Sequence, residues 1–276
     1  MPSVQLPRTL ERPVCPKVAR AALLAASPDL GFLPVEDIRK DIRHNYNRLD
    51  VGRSSFVRSI PAGLPRSQLP PYMTVPAARP RKLLVPLNAP PVEPIQPTHL
   101  LAIGNTNPST LEDVHLLFPI HAAVLAAECA KLPPLPPSAP APVNGMLHLP
   151  VLPLALPSAP GFSILLGYLY HHNPGMVLNT VLPLSHEFIQ QMQSVKALRA
   201  TINSPTERHY MAQHLGRVTG WSMQTLMKHM GHIKELWQDM VALGIDEDGI
   251  WETVEFGYEI VLAALNLAVM ANNNNS

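Results

Sequence analysis

Apolar residues recur every three to four positions through the last hundred residues of the chain, as they do on one face of an α-helix. The stretch 185–202 is predicted to form the first of four helices. Ser204-Pro205-Thr206-Glu207 then has the form of a capping box with proline at the first helical position. The next two helices are predicted to end near Gly220 and at Gly244, and Asp246 is predicted to cap the last one. The C-terminal third is therefore predicted to be helical.

A mixed segment precedes these helices. Residues 99–104 are predicted to form a strand, and residues 116–132 a short apolar strand that runs into an alanine-rich helix. Residues 149–156 are predicted to be an edge or irregular strand, followed by a helix that Ser158 caps and Asn173-Pro174-Gly175 ends. Strands followed by helices predict an α+β fold that is mostly helical.

Residues 1–98 have a different composition. They hold 17 of the 32 prolines, and proline removes a backbone donor and keeps the preceding residue extended. The remaining apolar residues are too scattered to predict a core. We therefore predict a basic, proline-rich and largely disordered arm over 1–98 and a folded body over 99–276.

One short amphipathic helix is predicted within the arm, at residues 35–49. Its apolar residues have helical spacing, its acidic residues lie in the first turn and its basic residues lie later. The pattern does not decide between packing on the body and binding a partner or nucleic acid. A second basic stretch, 79–82, is a candidate for nuclear import or phosphate contact. The candidate interaction residues of the arm are Ile38, Arg39, Lys40, Ile42, Arg43, Arg48, Arg79, Arg81 and Lys82.

Charge divides the chain in the same way. Up to residue 82 there are 14 Lys and Arg against 6 acids, and beyond it 7 against 14, although the formal net charge is only +1. After Lys234 the chain has eight acidic residues and no Lys or Arg. A basic arm suggests an acidic surface as partner, nucleic acid included. We also hypothesise that the basic helix associates weakly with the acidic terminal helices, in competition with an external partner.

No catalytic or metal-binding pattern stands out. On the helix that carries His229, the side chains of His232, Glu235 and Asp239 are predicted to share a solvated face rather than bind a metal. The chain has no Gly-x-Ser-x-Gly elbow and no phosphate-binding glycine loop, and Cys129 is predicted on the apolar side of a helix. We predict no enzymatic activity, no cofactor, no metal and no small-molecule substrate.

The cellular compartment is predicted from equally simple features. Two cysteines in different contexts favour a reducing environment, and the proline-broken start predicts no secretory signal. Residues 250–271 are long enough to span a membrane, but three glutamates in them argue against it. We predict an intracellular protein, nuclear or nucleocytoplasmic, with no membrane partner. Its tryptophans, Trp221, Trp237 and Trp251, are predicted core anchors, with an interface role as the less favoured alternative.

Two stretches resemble BTB/POZ domains. The sequence FPIHAAVLAAECAKL, at 118–132, is similar to the strand and helix signature of that family, and LPLALPSAPGFSILLGYLYHHNPG, at 152–175, to its later strand and capped helix. The residues that carry the resemblance are Phe118, Pro119, His121, Val124, Leu125, Phe162, Leu165, Leu166, Tyr168 and Tyr170. Ala130 and Lys131 replace the usual Pro-Tyr-Phe, and residues 131–150 are a proline-rich insertion. The resemblance implies a BTB/POZ-like body with a helical C-terminal extension and protein partners, with a homodimer or a cullin-type ubiquitin ligase adaptor among the alternatives.

The overall layout, with LPRTLERPVCPK and LPPYMTVPAARP in the arm, resembles the fungal clampless-type regulators of mating and dikaryon development. That resemblance implies a non-enzymatic regulator of fungal sexual development, in clamp-cell or dikaryon formation, that acts through protein–protein interaction. A nucleic-acid-associated transcriptional cofactor that uses the basic arm remains an alternative, and so does an enzyme with scattered catalytic residues.

Overall fold

The structure is a computed structural model that describes residues 10–26, 33–57, 59–80, 92–106, 114–138 and 141–274. The chain forms two compact units. One, here named the sheet unit, consists of Cys15–His171 and Ala242–Asp246. The other, the helical unit, consists of Met1–Val14, His172–Val241 and Glu247–Ser276.

A five-stranded sheet in the order β1-β4-β3-β5-β2 organises the sheet unit. Strand β3 pairs antiparallel with β4, where Leu101 faces Phe118, and parallel with β5, where Leu100 faces Val151. All but the last residue of β3 is buried, which matches its nearly continuous apolar sequence. The strands are β1 (Gly63–Pro65), β2 (Tyr72–Pro76), β3 (His99–Asn105), β4 (Val114–Ile120) and β5 (Met146–Leu156).

Helices pack on this sheet and on one another within the sheet unit. The fifth helix contacts β3 and β4, and the fourth helix contacts the first, second and fifth. Leu125 and Phe162 are completely buried at this layer. The helices are α1 (Arg20–Ala26), α2 (Val35–His44), α3 (Tyr46–Ser54), α4 (Ala122–Glu128) and α5 (Ala159–His171).

The described part of the helical unit contains helices and no strand. Its last helix contacts the sixth, eighth and ninth and buries the side chains of Ile250, Val254 and Val261. The helices are α6 (Pro174–Val181), α7 (His186–Gln191), α8 (Val195–Ile202), α9 (Pro205–Val218), α10 (Met223–Leu243) and α11 (Asp248–Asn274); the last two residues of α10 lie in the sheet unit.

The local signals of the C-terminal region are confirmed with two exceptions. Ser204 Oγ accepts a hydrogen bond from the backbone N–H of Glu207 at 3.4 Å, and Gly220 and Gly244 have the left-handed φ that follows a helix. The stretch 185–202, however, breaks into α7 and α8 because Ser194 starts a new helix by accepting a bond from Ala197 N–H. At the start of α11 the carboxylate of Glu247, rather than Asp246, accepts from a backbone N–H.

The predicted strands over 99–104, 116–118 and 149–156 are present as β3, β4 and β5. Strand β5 pairs with β2 over residues 146–150 and with β3 over residues 151–156, so most of the stretch predicted as an edge or irregular strand has a described partner strand on one side only. The α+β class, mostly helical, is confirmed.

The described part of 1–98 differs from the predicted disordered arm, because it contains α1, α2, α3, β1 and β2. The predicted helix 35–49 is two helices that separate at Asn45. The two prolines within these strands, Pro65 and Pro76, are the last residues of β1 and β2, which are edge strands, where the missing N–H costs little. Phe56 and Val75 join one apolar cluster with Leu100 and Leu149, so distant strands supply the core that the segment lacks by itself. The units divide after residue 171, not at residue 98.

Candidate interaction site

The apolar residues predicted to bind a partner from the arm helix are buried instead. Ile38 and Ile42 lie on the face of α2 that packs in the sheet unit, and their exposed fractions are 1% and 8%. Helix α2 contacts α4. Of the two alternatives left open for this helix, the structure therefore supports packing on the body.

Arg39 is likewise an internal residue rather than the predicted contact residue. Its Nε donates to the carbonyl of Ala127 at 2.9 Å, and its guanidinium pairs with Asp246 at 2.9 Å and with Glu128 at 3.6 Å. Burial alone lowers the pKa of Arg39, but the carboxylates of Glu128, Asp246 and Glu36 outweigh it and raise that pKa. The hypothesised pairing of arm bases with late acids thus occurs at Asp246, but as a buried network rather than a weak surface contact.

The other basic candidates of the arm are exposed. Lys40 pairs with Asp37 at 2.9 Å, and Arg48 donates to the backbone carbonyl of Glu93 at 3.1 Å. Arg43 and Arg79 are also exposed, whereas Arg81 and Lys82 lie outside the described residues.

The exposed side of α2 has mixed charge. The acidic residues of this helix are Glu36, Asp37 and Asp41, and its exposed basic residues are Lys40 and Arg43. The structure therefore does not bring the predicted bases together as a continuous basic patch on this helix.

The two stretches that resemble BTB/POZ domains come together in the sheet unit. The rings of Phe118 and Phe162 meet edge to face with their centroids 5.2 Å apart, a geometry that aromatic pairs favour. Phe118 is half-buried, and the other nine residues of the resemblance are buried. These residues therefore form a core and not an exposed site.

His121 and Tyr170 form the polar part of this core. The hydroxyl of Tyr170 lies 2.7 Å from His121 Nδ1 and accepts from the backbone N–H of His121 at 3.0 Å. Nε2 of His121 lies 3.0 Å from the carbonyl of Ile95, so the ring donates there and accepts from Tyr170. Burial lowers the pKa of His121 to about 4 and raises that of Tyr170. The arrangement fixes a neutral imidazole inside the unit.

A charged group borders this pair. The guanidinium of Arg53 lies 4.8 Å from the ring centroid of Tyr170, and its Nη2 donates to Asp50 at 2.7 Å. His171 Nε2 lies 3.5 Å from the same carboxylate. Burial by itself raises the pKa of Asp50, but hydrogen bonds from His171 and Arg53 lower it to about 2. The group orders α3 against the end of α5.

A groove in the helical unit is the feature that the sequence did not reveal. Arg12 lies before α1 in a segment without helix or strand, where Pro13 favours an extended backbone at the preceding residue. It donates to Asp248 at 2.6 Å, and its guanidinium lies 5.4 Å from the ring centroid of Trp251. A cavity of about 80 Å³ lies beside it, lined by Leu10, Arg12, Trp237, Trp251, Glu252, Val254 and Glu255. We name these residues, with Asp248, the tryptophan groove.

The contact of Arg12 with the groove is weak because its charged groups are exposed to solvent. The side chains of Arg12 and Asp248 are 42% and 67% exposed, and an exposed ion pair contributes about 0.2–1 kcal/mol. A cation over an aromatic ring at an exposed site adds about 0.5–1 kcal/mol. The only sequence signal for this site was the excess of acids after Lys234, and it was assigned to the wrong arginines.

The other candidates for chemistry are engaged elsewhere. His229 Nδ1 lies 2.8 Å from the carbonyl of Val181, and Asp239 is completely buried, so it does not share the predicted solvated face. Burial raises the pKa of the Cys129 thiol. Within the described residues no three His, Cys, Asp or Glu side chains are grouped to hold a metal ion.

The predicted tryptophan anchors differ from one another. Trp251 is buried, Trp237 is half-buried, and Trp221 lies in the turn before α10 with a positive φ.

One described helix is long and apolar enough to cross a membrane by length and composition alone. It covers Asp248–Ala271. Its apolar stretch of 18 residues has a mean hydropathy of 1.6, and half of that stretch is buried. Glu252 pairs with Arg199 at 2.6 Å and Glu259 with Arg208 at 2.9 Å. Core helices of soluble proteins have the same length and composition, so these features alone are weak support for a membrane span.

The fold and groove define an α+β protein with a helical second unit and a surface that holds an extended segment. Comparison with models of known protein families shows which family the chain belongs to. The Clampless protein 1 N-terminal domain matches residues 13–157, and the Clampless protein 1 C-terminal domain matches residues 175–276. The chain belongs to the Clampless protein 1 family. No curated protein and no solved structure matches it, so the BTB/POZ resemblance stays a prediction.

Proposed function

We propose that the chain is a non-enzymatic regulator of fungal sexual development, in clamp-cell or dikaryon formation, and that it acts by binding other proteins. Membership of the Clampless protein 1 family fits a regulatory role in fungal development. The observation that carries the binding mode is the tryptophan groove, where Trp251 and Asp248 hold an extended segment by its arginine. Aromatic and arginine contacts of this kind dominate many protein interfaces.

The state of the reactive side chains also supports binding over catalysis. A general base needs access to substrate and a pKa near the working pH. His121 is buried with a pKa of about 4, and Cys129 is buried with a raised pKa. Both side chains belong to the core of the sheet unit.

We further propose that the sheet unit has a BTB/POZ-like arrangement. Phe118 and Pro119 lie in the last three residues of β4, just before α4. After β5, Ser158 Oγ accepts from the backbone N–H of Gly161 at the start of α5. This order of elements agrees with the resemblance, and it is the basis on which a homodimer or a cullin-type adaptor role remains open.

The nucleic-acid alternative has less support. Its strongest feature, the helix of the arm, has Ile38 and Arg39 buried and acids among its exposed bases. Binding to DNA through bases would weaken steeply with salt. A nuclear location remains proposed from the sequence 79–82 alone.

Gene replacement in a mating-competent fungus tests the proposed function. A strain without the gene is crossed with a compatible partner, and clamp cells and dikaryons are counted with and without the wild-type chain. We expect both structures to be lost in the deletion strain and restored by the chain. Normal clamp-cell and dikaryon formation in the deletion strain would contradict the proposal.

A further inference from the structure

The chain's own segment fills the tryptophan groove only in part. The cavity of about 80 Å³ next to Arg12 has room for more than one water-sized group. Nε1 of Trp237 is buried and has no hydrogen-bond partner among the described residues. A buried N–H donor without an acceptor is costly, and Trp237 is one of the residues that line the cavity.

The groove also has acidic charge that Arg12 does not neutralise. Arg199 pairs with Glu252, but no Lys or Arg of the described chain pairs with Glu255, which is exposed at the rim. Burial, and then the neighbouring carboxylates of Glu259 and Glu252, raise the pKa of Glu255. A second positive group at this rim would relieve that repulsion.

We propose that the tryptophan groove is a docking site for an extended basic segment of a partner protein. The partner places one arginine over Trp251 against Asp248 and a second basic side chain at Glu255. Residues 10–12 of the chain occupy the same site as an intramolecular competitor. The inference rests on the proposed function, since it names the partner chemistry of the interaction proposed there.

The strength of the competition follows from the exposure of Arg12. One exposed ion pair and one exposed cation–π contact together favour the docked segment by about 3- to 30-fold. A ligand that needs the open groove binds more weakly by the same factor. A partner with two basic contacts can displace residues 10–12, which supply one basic contact, that of Arg12.

Fluorescence anisotropy with the full chain tests this inference. The probe is a fluorescein-labelled peptide with the sequence of residues 7–14, Pro-Arg-Thr-Leu-Glu-Arg-Pro-Val, which carries two arginines. We expect Arg12→Ala in the chain to open the groove and tighten peptide binding by about 3- to 30-fold relative to the wild type. Lys17→Ala removes another exposed cation that precedes α1 and should leave the affinity unchanged.

A second variant fixes the site of binding. In the Arg12→Ala background, Asp248→Asn should bring the affinity back to or below the wild-type value. Equal affinity of the wild type and Arg12→Ala, no binding to Arg12→Ala, or full affinity in the double variant would each overturn the inference. These outcomes are independent of the gene replacement: failed peptide binding leaves the developmental role standing, and normal development of the deletion strain leaves a binding groove without that role.

Discussion

The hydroxyl of Tyr170 lies 2.7 Å from His121 Nδ1 and also accepts from the backbone N–H of the same histidine. One phenol thus satisfies two buried groups at the junction between β4 and α4. The two residues are 49 positions apart, and their contact joins the two stretches that resemble BTB/POZ domains.

Tyr170→Phe should destabilise the chain by about 1–3 kcal/mol, because it leaves the Nδ1 and the backbone N–H of His121 buried without a partner. The measurement is the free energy of unfolding in urea. Tyr210→Phe is the matched control, since Tyr210 is 57% exposed, and should change stability by less than about 0.5 kcal/mol. Equal stability of the two variants would show that the hydrogen bonds at His121 do not stabilise the fold.

Stability should fall as the pH is lowered from about 6.5 to 4. The pKa of His121 is about 4 when folded, against 6.5 for an ordinary histidine, so the unfolded chain binds more protons in this window. The contribution of the neutral His121 to the free energy of unfolding is fully present above pH 6.5 and decreases by about 1.4 kcal/mol per pH unit below it. Urea unfolding at several pH values measures this slope.

His121→Asn should reduce the slope, without removing it, because burial also lowers the pKa of His99. His186→Asn, at an exposed position, should leave the slope unchanged. A slope identical in the wild type and His121→Asn would contradict the buried neutral imidazole.

Arg39→Ala should cost about 3–5 kcal/mol, because it removes the cation from the buried carboxylate of Glu128. The neighbouring variant Lys40→Ala removes an exposed cation and should cost less than about 1 kcal/mol. Thermal or urea unfolding of both variants checks the difference. Similar losses in the two would place Arg39 at the surface, as the sequence alone suggested.

Two glycine variants test the packing of α3. A Cβ at Gly52 would collide with the carbonyl oxygen of Ile95, which accepts from His121. Gly52→Ala should therefore destabilise by about 1–3 kcal/mol. Gly231 lies in α10 with no atom near its missing Cβ, so Gly231→Ala should be neutral or stabilise by up to about 1 kcal/mol. The measurement is the free energy of unfolding of both variants. If Gly52→Ala were as stable as Gly231→Ala, the close packing of α3 against Ile95 would be contradicted.

Much of the fold could be predicted from local pattern, and the parts that could not depend on distant residues. Strand β3 and helix α9 were predicted because an apolar run and the Ser204 cap are local signals. Strands β1 and β2 were missed because a proline-rich segment becomes a strand only when partners such as β5 are available. Periodicity placed Arg39 among the exposed bases, because its acceptors Glu128 and Asp246 are far away in sequence.

The tryptophan groove could not be predicted for the same reason. Arg12 is 236 positions from Asp248, and a charge count predicts attraction between two regions without naming the pair. The three tryptophans were assigned to the core because aromatic residues at helical spacing are usually buried. Trp251 is indeed buried, but the guanidinium of Arg12 still lies over its ring.

The central claim, that protein binding at the tryptophan groove regulates development, is tested most directly by complementation of the deletion strain with Asp248→Asn. Glu187→Gln, an exposed acid of α7, is the matched control, and immunoblotting checks that both variants accumulate to the wild-type level. We expect Glu187→Gln to restore clamp cells fully and Asp248→Asn to restore clearly fewer. Equal numbers of clamp cells with Asp248→Asn and with the wild-type chain would contradict the account.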